Sequence, residues 1–119
     1  MAKLAEDIED QITRALAEAQ DFYDDEVATS VRYVASGDLF LLVLKSGRRI
    51  AIPREDLQDV ADASREDAAE VRLEMLNSAV HWEKLDVDFS VKGLADGLRG
   101  GERWMKQLAE RQELLQKAS

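Results

Sequence analysis

The chain's single histidine, His81, stands beside Trp82 at the head of the stretch H-W-E-K-L-D-V-D-F-S. An imidazole that titrates near neutrality can serve as a general base or as a metal ligand. Two carboxylates follow, Asp86 and Asp88, at i, i+2 spacing. On a strand that spacing places both on one face, roughly 7 Å apart. Such a pair could hold a hard cation of the Mg2+ or Ca2+ kind. A calcium-loop pattern is missing, and no third ligand falls at a useful spacing along the chain, so neither a metal site nor a cofactor is expected. No residue completes a recognisable triad with His81, and no phosphate-binding glycine loop is present. The chemistry therefore predicts a protein that is not an enzyme, with His81 in a structural or interface role. Arg48, Arg49 and Arg54 form a second cluster. It could touch a phosphate or an acidic partner, or simply balance Glu55, Asp56 and Asp59.

Strands and helices must position these groups. Leu85, Val87 and Phe89 alternate with Asp86, Asp88 and Ser90, the pattern of a half-buried strand. Ser90 is a good N-cap, and Val91, Leu94 and Leu98 then recur at helical spacing. A strand-to-helix corner is predicted. Upstream, residues 2–22 read as a helix with a stripe of Leu4, Ile8, Ile12, Ala15, Ala19 and Phe22. Acids at Asp24, Asp25 and Glu26 oppose the helix dipole, so the helix is expected to stop near Tyr23. Its stripe should pack on the chain's own sheet or on a partner helix.

Residues 27–34, 39–44 and 49–52 read as three strands of an antiparallel meander, with Pro53 ending the third. The unbroken apolar run Leu39 to Leu44 suits a central strand covered on both faces. Residues 56–61 and 64–70 look like short helical pieces, the second opened by Ser64 with Asp67. Residues 71–75 alternate as a fourth strand. Gly97, Gly100 and Gly101 close the short helix that Ser90 opens. Residues 102–117 form a final amphipathic helix with Trp104, Met105, Leu108, Ala109 and Leu115 on its apolar side. Leu42, Val43, Leu85, Val87 and Phe89 should share one core, with Trp82 at its edge.

Composition bounds what remains. A chain of 119 residues is one domain, able to bury roughly two-thirds of its unfolded surface. It has no cysteine, which removes disulfides and thiolate chemistry and suits a reducing cytoplasm. No apolar run reaches membrane-spanning length, and the acidic N-terminus lacks a signal peptide's apolar core. The net charge of −9 is uneven. Residues 1–26 hold nine acids and two bases, whereas residues 102–119 hold three acids and four bases. Such a chain repels phosphate backbones, so direct nucleic-acid binding is disfavoured. Three segments result: an acidic N-terminal helix, 1–26; a core, 27–101; and the C-terminal helix, 102–119.

The pattern H-W-x-x-L-D-x-D-x-S-V-x-G-L-x-x-G resembles the signature of a bacterial family, domain of unknown function 2442. The R-R-I-A-I-P and V-R-L-E-M strands before it fit the same order, and G-G-E-R-W-M after it resembles the tryptophan-bearing segment of longer members. The resemblance spans residues 27–105. It implies a partner, since such proteins often sit beside a second small protein, domain of unknown function 4160, in what look like toxin–antitoxin pairs. This chain would be the antitoxin-like member. Longer relatives continue into Gly/Arg/Lys-rich tails or a helix-turn-helix. The ending L-A-E-R-Q-E-L-L-Q-K-A-S has neither feature, which weighs against operator binding.

The expected fold is α+β: an N-terminal helix, one mostly antiparallel sheet of four or five strands, and C-terminal helices. The expected function is a non-catalytic protein-binding module, antitoxin-like, that covers the surface of a small toxin. One alternative is a phage- or mobile-element-encoded acidic inhibitor, anti-CRISPR-like, that mimics nucleic acid and binds a basic nucleic-acid enzyme. A second is a transcriptional regulator. Candidate partner contacts are His81, Trp82, Asp86, Asp88, Arg48, Arg49 and Trp104. A homodimer through the C-terminal helix is also expected, because a small sheet lacks the surface to bury every apolar stripe.

Overall fold

The computed structural model describes residues 8–14 and 24–118. Residues 8–14 are helical, as the periodicity predicts, but Ile8 and Ile12 are about half exposed rather than packed on the sheet. The remainder of the proposed stripe and the stop near Tyr23 lie outside the described residues.

The α+β class holds, but the single sheet of four or five strands does not. Among the described residues, six strands form two three-stranded antiparallel meanders. The first comprises β1 (Ala28–Val34), β2 (Leu39–Leu44) and β3 (Arg49–Pro53), with β2 in the centre. The second comprises β4 (Val71–Glu74), β5 (Ala79–Trp82) and β6 (Val87–Ser90), with β5 in the centre. The chain splits the sheet because 17 residues separate β3 from β4, and they form a 3-10 turn at Arg54–Asp56 and helix α1 (Arg65–Ala68). That crossing places Leu57, Val60 and Ala68 in the core. The predicted helical piece at 56–61 is thus a 3-10 turn followed by further turns.

Alternation explains the burial of β2. Phe40, Leu42 and Leu44 face inward and are buried, while Leu39, Leu41 and Val43 on the opposite face are half-buried. Neighbouring strand residues point to opposite faces, so Leu42 and Val43 do not share one core, contrary to expectation. The core joins both sheets: Phe40, Leu42, Leu44 and Ile52 from the first meet Val80 and Trp82 from the second, and Leu57, Val60, Ala68, Val91 and Leu94 close the ends. Leu85, Val87 and Phe89 pack against this cluster as expected. An aromatic row bridges the sheets. Tyr33 lies against Phe40, Phe40 meets Trp82 edge to face at 5.2 Å between ring centroids, and Trp82 meets Phe89 at 5.9 Å.

Two caps are as the sequence indicates. The Ser64 hydroxyl accepts from the Asp67 amide at the start of α1. The Ser90 hydroxyl accepts from the Gly93 amide at the start of α2 (Val91–Ala95). Gly97, at φ +96°, ends that helix in the left-handed region that glycine enters without a Cβ clash. Leu98 therefore falls beyond the helix and is about half exposed.

Helix α3 (Glu102–Ala118) docks through its first half only. Leu108 is buried, the Trp104 indole donates to the Asp56 carbonyl, and Arg111 reaches the Glu55 carbonyl and the Asp56 carboxylate. The approach is close at Gly100, where a Cβ would lie 2.7 Å from both Gln58 and Trp104 atoms. Past Arg111 the helix is exposed, including Leu114 at 67% and Leu115 at 65%.

Candidate functional site

The outer face of the second sheet gathers the titratable groups. The register aligns Arg72 with His81 and His81 with Asp88, one residue from each strand in a single row. Alternation sends Val71 and Leu73, Val80 and Trp82, Val87 and Phe89 toward the core. Arg72, Glu74, His81 and Asp88 are left on the other face. His81 Nδ1 lies 2.7 Å from Asp88 Oδ1 and 3.9 Å from Glu74 Oε2. Its Nε2 lies 2.9 Å from Glu83 Oε2, in the β5–β6 turn. Arg72 donates to both Glu74 Oε1 and Glu83 Oε2.

A carboxylate only accepts, so a ring with both nitrogens on carboxylates must donate from both and is the imidazolium. The electrostatics agree. The hydrogen bond to Asp88 raises the His81 pKa most, with further help from Glu83 and the nearby Glu74 charge, against a partial desolvation penalty. Glu83 is held below its usual range, first by the hydrogen bond from His81 and then by Arg72. Among the described residues, Glu74, His81 and Asp88 each offer one ligand atom within 4.8 Å of the others.

The other expected contacts do not converge there. Trp82 is 1% exposed and lies at the centre of the core, so it cannot touch a partner and is not an edge residue. Asp86 sits in the β5–β6 turn at φ +51°, not on a strand, so the Asp86/Asp88 pair on one strand face does not form. The basic patch also dissolves. Arg54 turns inward to grip Asp38 with two hydrogen bonds and to cap the Ala61 and Ala63 carbonyls. Arg48 donates to the Ala95 carbonyl at the end of α2, and Arg49 is exposed. Arg54 pairs first with Asp38, with a smaller charge interaction from Glu55. Trp104 is a half-buried anchor of α3.

Glu74, Glu83 and Arg72 escaped the reading of the sequence because their neighbours lie across the sheet. One signal existed. Folding V-R-L-E and A-V-H-W into a hairpin about Met75–Ser78 sets Arg72 opposite His81.

Two short meanders closed over one core, with a docked C-terminal helix, define a small α+β domain. The chain belongs to the family described as protein of unknown function (DUF2442), which matches residues 28–100. It is similar to the crystal structure of a protein of unknown function from Rhodospirillum rubrum ATCC 11170. The two are 33% identical over 66% of this chain and 95% of that one, with a TM-score of 0.62. It is also similar to an uncharacterized protein from Chromobacterium violaceum solved in solution by NMR. There the identity is 26% over 78% of this chain and 87% of that one, with a TM-score of 0.61. No curated protein matches the chain. No helix among the described residues is long and apolar enough to cross a membrane.

Proposed function

We propose that the chain is a non-catalytic protein-binding module that neutralises a small co-encoded protein by covering its surface, in the manner of an antitoxin. The observation that carries this reading is the division of α3. Trp104, Leu108 and Arg111 anchor its first half to the domain, and its second half stands clear with Leu114 and Leu115 exposed. A helix anchored at one end that presents two exposed leucines at the other is suited to insert them into a partner's hydrophobic groove. The ordering entropy of the exposed turns is lowered in advance by the anchored turns, which favours tight association. The His81 cluster lies on the outer face of the second sheet and is built from different residues. The antitoxin class follows from the gene pairing that the family resemblance implies.

The test is co-expression with the small protein encoded beside this chain. Wild-type protein should copurify with it and restore growth. The double variant Leu114→Asp/Leu115→Asp should melt at the wild-type temperature yet lose both effects. Rescue by the variant at wild-type level, or a neighbour with no effect on growth, overturns the proposal.

A further inference from the structure

We propose that the outer face of the second sheet binds one divalent transition-metal ion of the zinc class, held by Glu74, His81 and Asp88. This site goes beyond the partner-binding role, which rests on α3 and on different residues. Each strand of the meander supplies one ligand: Glu74 from β4, His81 from β5 and Asp88 from β6. Backbone pairing fixes the strands, so a metal would find its ligands already assembled and would require only side-chain adjustment. The ligand atoms lie within 4.8 Å of one another, and the closest pair is 2.7 Å apart. Tetrahedral zinc with bonds near 2.1 Å sets its ligands about 3.4 Å apart. Shifts of about an ångström, taken up mainly by the Asp88 and Glu74 side chains, bridge that difference.

The surroundings are those of a metal-ligating histidine. Such a histidine donates its second ring N–H to a carboxylate or carbonyl that fixes its orientation. Glu83 takes that position at Nε2, and Arg72 holds Glu83 in turn. Nδ1 is thereby aimed at the space between Asp88 and Glu74. Arg72 occupies Oε1 of Glu74 and leaves Oε2 toward the ring. A metal ion on Nδ1 leaves the Nε2–H bond to Glu83 in place. Imidazole with two carboxylates favours zinc, cobalt or nickel over magnesium and calcium, whose shells are built from oxygen. The Asp88 side chain is 61% exposed, which gives the ion a route in and leaves a coordination position for water.

Calorimetric titration of Zn2+ into the chelator-stripped full chain at neutral pH tests the site, with Co2+ absorption reporting tetrahedral geometry. One saturable site of micromolar affinity is expected. Asp88→Asn and Glu74→Gln, both on an exposed face, should weaken it at least tenfold, and His81→Gln should do so more strongly. Asp86→Asn, in the turn beyond the ligand set, should bind as wild type. The absence of saturable binding, unchanged binding in Asp88→Asn and His81→Gln, or equal competition by Mg2+ overturns the proposal.

Discussion

Trp82 carries the largest buried ring of the core, yet its indole N–H has no hydrogen-bond partner among the described residues. An unmade bond at a buried donor costs about 1–3 kcal/mol. The ring's packing between Phe40 and Phe89 must therefore outweigh that cost. The two contributions separate by mutation. Trp82→Ala should destabilise by about 3–5 kcal/mol, the range for deleting a buried ring. Trp82→Phe keeps an aromatic surface and removes the orphan donor, so it should cost well under half as much. Denaturant melts of the two variants measure the difference, and equal losses would show that the indole is paired in solution. The same residue illustrates how a sequence neighbour misleads. His81 and Trp82 adjoin in the chain but point to opposite faces of β5.

At the scale of elements, the two halves of the first meander are tied to the crossing segment by Asp38 and Arg54. Asp38, in the β1–β2 turn at φ +50°, accepts from Arg54 Nε and Nη2 and from the Tyr33 hydroxyl. The same guanidinium binds carbonyls of the loop after the 3-10 turn. These bonds, that of Arg54 first and Tyr33 second, lower the Asp38 pKa from 3.8 to about 2. A carboxyl with a depressed folded pKa adds stability above its unfolded value and loses it as the pH falls through its folded one. Stability should therefore decline as the pH falls from about 4 toward 2, and Asp38→Asn should be less stable near neutrality but flatter across that window. Melts of both proteins at stepped pH check this. Parallel curves would remove Asp38 from the linkage. Arg54→Lys should not restore the wild type, because one ammonium cannot reproduce the fork and the carbonyl bonds together.

At the scale of the whole molecule, the distribution of exposed apolar groups governs association. The C-terminal segment is close to neutral, whereas residues 1–26 hold nine acids against two bases and would repel a copy of themselves. Leu114 and Leu115 are exposed on a helix whose base is fixed. Self-pairing most often uses a two-fold axis that sets one patch on its own copy. In the absence of its partner the chain should form a dimer through this end of α3 at tens of micromolar. Leu114→Asp/Leu115→Asp should return it to a monomer without altering its melt. Light scattering on both proteins decides the matter, and a wild-type monomer would refute the self-pairing. Truncation at Gly101 is a poorer probe, since it would also strip Trp104, Leu108 and Arg111 from the fold.

Much of the local structure was readable because the forces that set it act over a few residues. The apolar run of β2, the alternation of β4, and the serine caps of α1 and α2 depend on neighbours within a turn or a pleat. The α+β class and the extent of α3 followed from the same periodicities. The alternation from Leu85 to Phe89 correctly marked the buried side but not the strand's beginning. The left-handed backbone of Asp86 converts Glu83–Asp86 into a turn and sets β5 against β6. The crossing between β3 and β4 divided the strands into two sheets.

Contacts between residues far apart in the chain were decided by tertiary structure alone. The spacing of Asp86 and Asp88 pointed along one strand, whereas Asp88 found its neighbours, His81 and Glu74, across two others. Arg54 looked like surface charge until the fold placed Asp38 and three loop carbonyls around it. A sequence by itself determines which faces are apolar and where local hydrogen bonds close. Which polar groups meet depends on strand register and burial, quantities that exist only once the chain has packed.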